Sequence, residues 1–138
     1  MKKVLISGLV AGLIILLVGI ILGPAFSVVF PALNAEYSDT NLFRPFSDPL
    51  FLSIYLVHPF VVGILLSWLW SKTKSIIKGE DSYKKGIRFG FMYWVIMLLG
   101  LALSYASSPI SLLMIISWSV IVLTQALCAG LIYTKMNK

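Results

Sequence analysis

The sequence is poor in charge. Only 12% of its 138 residues are Asp, Glu, Lys or Arg, about half the fraction found in a soluble domain, whereas 59% are hydrophobic. A soluble chain of this length cannot bury so much apolar surface in one core, and the mean hydropathy of +0.98 agrees. The composition therefore indicates that the bilayer is the solvent of this chain.

Reactive and metal-binding residues are equally scarce. The chain has one cysteine, Cys128, and one histidine, His58, so neither an internal disulfide nor the usual zinc sites can form. The sequence has no catalytic Ser/His/Asp set, no glycine-rich phosphate loop and no CxxC pair. We therefore expect no enzymatic activity, no metal site and no cofactor, and we interpret Cys128 as a small buried hydrophobic residue.

Four apolar stretches are long enough to cross a membrane. They predict spans at about residues 4–30, 50–71, 86–106 and 110–134 within one domain covering residues 1–138. The first stretch is too long for the apolar region of a signal peptide, so we interpret it as an uncleaved helix. Short connections favour an all-α, integral membrane four-helix bundle whose consecutive helices are antiparallel neighbours.

Two longer connections separate the spans. Residues 31–49 are rich in Pro, Asn, Ser and Asp, which predicts an outer loop, and residues 72–85 form a basic connection on the other side. Asp48 and Pro49 fit the N-cap and first position of the second helix, and we expect Ser108 and Pro109 to start the fourth helix in the same way.

Positive charge is distributed unequally between the two sides. The net charge is +6, and ten of the eleven Lys and Arg residues lie at the termini or in the 72–88 segment, whereas Arg44 is alone on the opposite side. The positive-inside rule then predicts a protein of the cell membrane with both termini in the cytoplasm. The same rule explains the basic composition without nucleic acid, so the expected partners are membrane lipids and either a second copy or another membrane protein.

Small residues recur at four-residue spacing in every span. Lipid provides no hydrophobic drive for helices to associate, so close approach of backbones must hold them together. The pattern predicts helix contacts, either inside one bundle or with a second copy through Gly8/Gly12 or Gly86/Gly90. The glycines assigned to packing are Gly8, Gly12, Gly19, Gly23, Gly63, Gly86, Gly90, Gly100 and Gly130.

Polar side chains inside the spans are few. None of the spans carries Asp, Glu, Lys or Arg in its middle, which argues against an ion-coupled transporter. His58 lies about 12 Å below the outer end of the second helix, with Tyr55 one turn earlier. Either a hydrogen bond to a neighbouring helix or a contact with a ligand would satisfy the polar imidazole of His58. Gln125, near mid-membrane, is expected to form an interhelical hydrogen bond or a substrate contact.

The outer loop offers two further candidates. Arg44 and Asp48 are four residues apart and each precedes a proline. They are expected to form a cap over the outer face of the bundle or a lip that binds a ligand. With His58, Tyr55 and Gln125 they make up the candidate ligand or polar-core set.

Two short segments carry a resemblance. Phe43-Arg44-Pro45-Phe46-Ser47-Asp48-Pro49 precedes the second span, and Lys85-Gly86-Ile87-Arg88-Phe89-Gly90 opens the third. Together with the glycines of the first helix they resemble small four-span prokaryotic membrane proteins of uncharacterised activity. The resemblance implies no activity, and adds weight to Arg44, Asp48, Gly86 and Gly90.

The sequence thus leaves two functional hypotheses. The first is a non-enzymatic packing partner or accessory component of the membrane, acting alone or as a homo-oligomer. The alternative is a binder or transporter of a small or lipidic molecule, with an outward-facing polar site near His58.

Overall fold

The computed structural model describes residues 1–137 and contains five helices over that range. They are α1 (Lys2–Val29), α2 (Pro31–Tyr37), α3 (Pro49–Thr73), α4 (Ser82–Ser107) and α5 (Leu112–Met136). Helices α1, α3, α4 and α5 are each long and apolar enough to cross a membrane, as the sequence predicted. Lys138, one of the ten basic residues assigned to the cytoplasmic side, lies outside the described residues.

The segment predicted as a loop from residue 31 to residue 49 begins instead with the short helix α2. Pro31 occupies its first turn, where the missing N–H costs nothing. Leu33 is fully buried, so α2 is held to the rest of the protein by an apolar anchor. Proline is a loop signal in the sequence, but Pro31 starts a helix here.

Helix starts agree with the prediction in one case and differ in another. Asp48 is the N-cap of α3 with Pro49 in the first turn, as expected. The predicted start of the fourth helix at Ser108 is wrong, because Ser111 caps α5 and its Oγ accepts the Met114 N–H at 3.1 Å. Ser108 has an extended backbone, the conformation that a following proline favours.

Helix α4 begins earlier than expected. The sequence placed the start of the third span at about residue 86, whereas α4 starts at Ser82 with Asp81 as N-cap. The Asp81 carboxylate accepts the Lys84 N–H at 2.7 Å, so this residue acts as a cap as well as a surface charge.

Glycines create two closely packed helix pairs. In the first pair, a Cβ placed on Gly8 of α1 would lie 2.6 Å from Cα of Ile64 on α3, and one on Gly12 would lie 2.6 Å from Cα of Phe60. In the second pair, a Cβ on Gly90 of α4 would lie 2.5 Å from the Ala126 carbonyl oxygen of α5. Such backbone approach is possible only without a side chain.

Contacts between α1 and α5 join the two pairs. The order of packing is α3 on α1, α1 on α5 and α5 on α4, while α2 rests on α1. A cluster of buried side chains fills the space where the pairs meet, with contributions from all four long helices: Ala11, Ile15, Leu66, Trp70, Phe89, Ala129 and Tyr133.

Helices α3 and α4 hardly touch along their lengths, although they are consecutive in the sequence. Trp70 and Phe89 do meet edge to face near that connection, with ring centroids 5.4 Å apart. Gly63 of α3 meets α1, and Gly86 and Gly90 of α4 meet α5, so each of these helices packs on its glycine-matched partner. The expectation that the second and third spans are also neighbours is wrong, because α3 packs on α1 and α4 packs on α5 rather than on each other.

Candidate functional site

Arg44 and Asp48 form a local unit at the start of α3. The Asp48 carboxylate accepts the N–H groups of Leu50 at 2.9 Å and Phe51 at 3.1 Å, and Arg44 Nη1 donates to it at 3.1 Å. The hydrogen bond from the Phe51 N–H does most to lower the pKa of Asp48 below its usual range, with help from Leu50 and Arg44. This geometry is that of a charged helix cap.

Glu36 makes a longer-range connection at the same end of the molecule. Its carboxylate accepts the Ser111 N–H at 2.6 Å and the Ser111 hydroxyl at 2.7 Å. A carboxylate at a helix N-terminus is favoured by the free N–H groups and by the helix dipole. The sequence predicts no site role for Glu36, because the two partners are 75 positions apart in the chain.

Aromatic side chains cover the N-terminal end of α5. The indole N–H of Trp118 donates to the Tyr37 hydroxyl at 2.6 Å, and Phe43 packs edge to face on Trp118 with centroids 6.0 Å apart. Burial raises the pKa of the Tyr37 phenol, which therefore stays neutral. The aromatic rings of Tyr37 on α2 and Phe43 in the following loop therefore cover this end of α5, and we call the covering segment, residues 31–48, the lid.

Gln125 makes an interhelical hydrogen bond. Its Nε2 donates to the Ile15 carbonyl of α1 at 2.8 Å. A Cβ on Gly19 would lie 3.2 Å from this nitrogen and 3.9 Å from the Tyr55 hydroxyl, so Gln125 and Tyr55 approach the same glycine of α1. Of the two roles left open for Gln125, this contact corresponds to interhelical packing.

His58 does not join this group. Its side chain is on the exposed face of α3, and no side-chain hydrogen bond or ion pair within residues 1–137 reaches it. Pro59, the next residue, is the one that faces α1. The structure therefore brings Tyr55 and Gln125 towards one point, and Arg44 and Asp48 towards another, while His58 stands apart from both.

A buried polar cluster at the opposite end was not predicted from the sequence. The hydroxyls of Ser7 on α1 and Ser67 on α3 are 2.6 Å apart, and the Tyr133 hydroxyl donates to the Gly63 carbonyl at 2.8 Å. The Trp70 indole donates to the Asn137 carbonyl at 2.9 Å. A serine within an apolar helix indicates that a polar contact exists there, but the sequence spacing does not identify its partner on another helix.

The glycines assigned to packing differ in what lies beside them. Those against backbone atoms of a neighbouring helix are Gly8, Gly12, Gly63, Gly86, Gly90 and Gly130. Both stripes proposed to face a second copy are therefore occupied within the chain. Gly19 lies against the Gln125 side chain instead. A Cβ added to Gly23 or Gly100 would meet no atom within 4 Å, so the helix surface at these two glycines is uncovered.

The chemistry available among residues 1–137 is limited. These residues contain no group of three or more His, Cys, Asp or Glu able to hold a metal ion, and their buried side-chain polar atoms all have hydrogen-bond partners. A cleft of about 260 Å³ near the lid is lined by loop and α4 residues such as Asn41 and Ser104, and holds no titratable group. No family model, curated protein or solved structure matches this chain.

Proposed function

We propose that the chain is a multi-pass protein of the cell membrane with both termini in the cytoplasm. The support is the charge pattern: of the basic residues within 1–137, nine lie at one end of the four helices and Arg44 lies at the other. The inner polar cluster of Ser7, Ser67 and Asn137 brings the beginning of α1, the end of α3 and the residue after α5 to the same end.

Antiparallel packing of consecutive spans is part of this proposal. It is supported by contacts whose residue numbers rise along one helix and fall along the other, as in Gly8 with Ile64 and Gly12 with Phe60. The α4–α5 pair follows the same rule, with Gly86 near Gly130 and Gly90 near Ala126.

Labelling of single cysteines tests the orientation. Thr40→Cys in the outer loop and Ser75→Cys in the basic connection are both exposed positions and would be made in a Cys128→Ala background. A membrane-impermeant maleimide should label Thr40→Cys in intact cells and Ser75→Cys only after permeabilisation. The reverse pattern would overturn the cytoplasmic assignment of the termini.

For the role, we propose a non-enzymatic accessory component that associates with a second copy through the outer half of α4. The observation that supports this is Gly100. Gly100 and Ser104 repeat the four-residue spacing of the two packed stripes, yet no other helix covers Gly100. Helix α4 is also the least buried of the four long helices, since only 11% of its most apolar 18-residue segment is buried.

Disulfide crosslinking in native membranes tests this role. Gly100→Cys in the Cys128→Ala background should give a covalent dimer on mild oxidation. Val57→Cys is the control, because it is exposed on α3 at a similar distance from the outer end of its helix. Monomer at Gly100→Cys, or equal dimer at both positions, would contradict the proposal.

The alternative role as a binder at His58 has less support. It required His58, Tyr55 and Gln125 to converge in the outer half of the spans. With His58 on the exposed face of α3, the imidazole does not join Tyr55 and Gln125.

A further inference from the structure

The inner ends of α1 and α3 form an open groove. Its volume is about 610 Å³, within the range of roughly 300–1,000 Å³ typical of small-molecule sites. Lys2 and Leu5 line one wall, and Leu65, Trp68 and Lys72 line the other. The groove is separate from the lid, the Gln125 contact and the Gly100 face.

Polarity changes in one direction along this groove. Lys2 and Lys72 lie at the end of the groove nearest the membrane surface, where α1 begins and α3 ends. Trp68 is one helical turn further into the span on α3. Leu65 follows seven residues from Lys72, which is about 10 Å along a helix. The order of charge, amphipathic ring and aliphatic side chain matches the order of headgroup, glycerol region and acyl chain in a phospholipid.

The positive charge of the groove is not neutralised by the protein. Within residues 1–137 the ion pairs are Arg44–Asp48 at the far end and Lys84–Glu80 in the basic connection. Asp81, the other acid on this side, caps α4 through the Lys84 N–H. Lys2 and Lys72 line the groove with their aliphatic stems, and neither has a carboxylate partner within residues 1–137. Their ammonium groups are therefore available to an anionic headgroup at the edge of the groove.

The apolar side chains of the groove walls are about half exposed in the chain alone, so another molecule is expected to cover them. Leu5 is 50% exposed, Leu65 59% and Trp68 55%. Basic pockets between membrane helices on the cytoplasmic side bind anionic headgroups. A soluble anion would leave these apolar walls uncovered, whereas a phospholipid satisfies both parts of the groove.

We propose that this groove is a binding site for one anionic phospholipid of the cytoplasmic leaflet. Lys2 and Lys72 hold its phosphate, and one acyl chain lies along Leu5, Leu65 and Trp68. The site rests on the proposed membrane location and orientation of the chain. The groove would let the protein select an anionic phospholipid, whereas its charge pattern alone would attract any anionic lipid surface.

Tryptophan quenching by brominated lipid tests the site. The protein is reconstituted into vesicles of equal parts phosphatidylcholine and phosphatidylglycerol, with the acyl chains of only one lipid brominated. The contribution of Trp68 is the difference between the wild type and Trp68→Leu, a substitution at an exposed position. Brominated phosphatidylglycerol should quench Trp68 with a preference of about tenfold over brominated phosphatidylcholine.

Two double variants separate site binding from general charge. In Lys2→Gln/Lys72→Gln the preference should fall to near unity. Lys78→Gln/Lys135→Gln removes the same charge from the same side at positions outside the groove, and should retain the preference. Equal quenching by both lipids in the wild type, or equal loss in both double variants, would overturn the proposal.

The remaining outcomes distinguish this site from the membrane location itself. If the other tryptophans are quenched but Trp68 is not, protein covers the groove, such as a second copy, and the lipid site is wrong. If no tryptophan is quenched by either lipid, the membrane location fails as well.

Discussion

Single side chains join helices that lie far apart in the sequence. Gln125 links α5 to α1, Tyr133 links α5 to α3, and Glu36 links α2 to the start of α5. Gln125 and Tyr133 bond to backbone carbonyls, so the identities of Ile15 and Gly63 give no sign of these bonds in the sequence, whereas Glu36 bonds to both the N–H and the hydroxyl of Ser111. These residues carry the connections that glycine packing alone does not provide.

Replacing Glu36 by Ala should lower stability by about 1 kcal/mol, because the Ser111 N–H and hydroxyl lose a charged acceptor. Thermal unfolding in detergent measures the change. Glu80→Ala is the matched control, since Glu80 pairs with exposed Lys84 and its loss should cost less than about 0.5 kcal/mol. Equal losses in the two variants would show that the Glu36 contact contributes nothing beyond surface charge.

Asp48 should make stability depend on pH in the acidic range. Its pKa is lower in the folded state than in the unfolded chain, so its contribution is present above the ordinary Asp pKa and is lost as the pH falls through the folded pKa. The midpoint temperature of the wild type should therefore fall below about pH 4. Asp48→Asn retains a capping side chain without the titration and should show a flatter profile. Parallel profiles would contradict this assignment.

Helix pairs are selected by complementary small residues. The same four-residue spacing occurs on α1 and α4, yet each finds a different partner because Gly63 of α3 meets the α1 glycines and Gly130 of α5 meets those of α4. The spacing alone could not tell an internal contact from one with a second copy. Only the packing shows which faces are occupied.

Gly12→Ala should destabilise the α1–α3 pair. The new Cβ would lie 2.6 Å from the Phe60 Cα and 3.0 Å from the Pro59 carbonyl oxygen, and backbone cannot move aside without separating the helices. The variant should be about 1–3 kcal/mol less stable than Gly23→Ala, whose Cβ meets nothing within 4 Å. Unfolding in a denaturing detergent compares the two variants in the same helix. Equal stability would mean that the pair tolerates wider spacing.

The whole molecule consists of two helix pairs joined along α1 and α5. Polar contacts join the pairs near both ends of α5: Glu36 of α2 with Ser111 at its start, and Gly63 of α3 with Tyr133 near its end. Ser111 and Tyr133 are separated by about 33 Å along α5 at 1.5 Å per residue. The two contacts should therefore act as independent restraints on one rigid helix.

Combining Glu36→Ala with Tyr133→Phe tests that independence. Tyr133→Phe alone should cost about 0.5–1.5 kcal/mol, because the Gly63 carbonyl loses its hydroxyl donor in a buried site. The double variant should equal the sum of the single effects within about 0.5 kcal/mol. A larger deviation would show that the two ends of the bundle are coupled through α5.

The sequence by itself determined the four spans, the Asp48 cap and six of the nine glycines assigned to packing, because each follows from local composition or spacing. It did not locate α2, the Ser111 cap or the Glu36–Ser111 contact, since these depend on elements that meet only in space. Tertiary structure also decided that His58 is exposed while Pro59 faces α1, a difference of one helical position. The rotation of a helix about its axis is set by the helices packed against it. An apolar helix with no charged face has no amphipathic pattern, so its sequence does not show which side is buried.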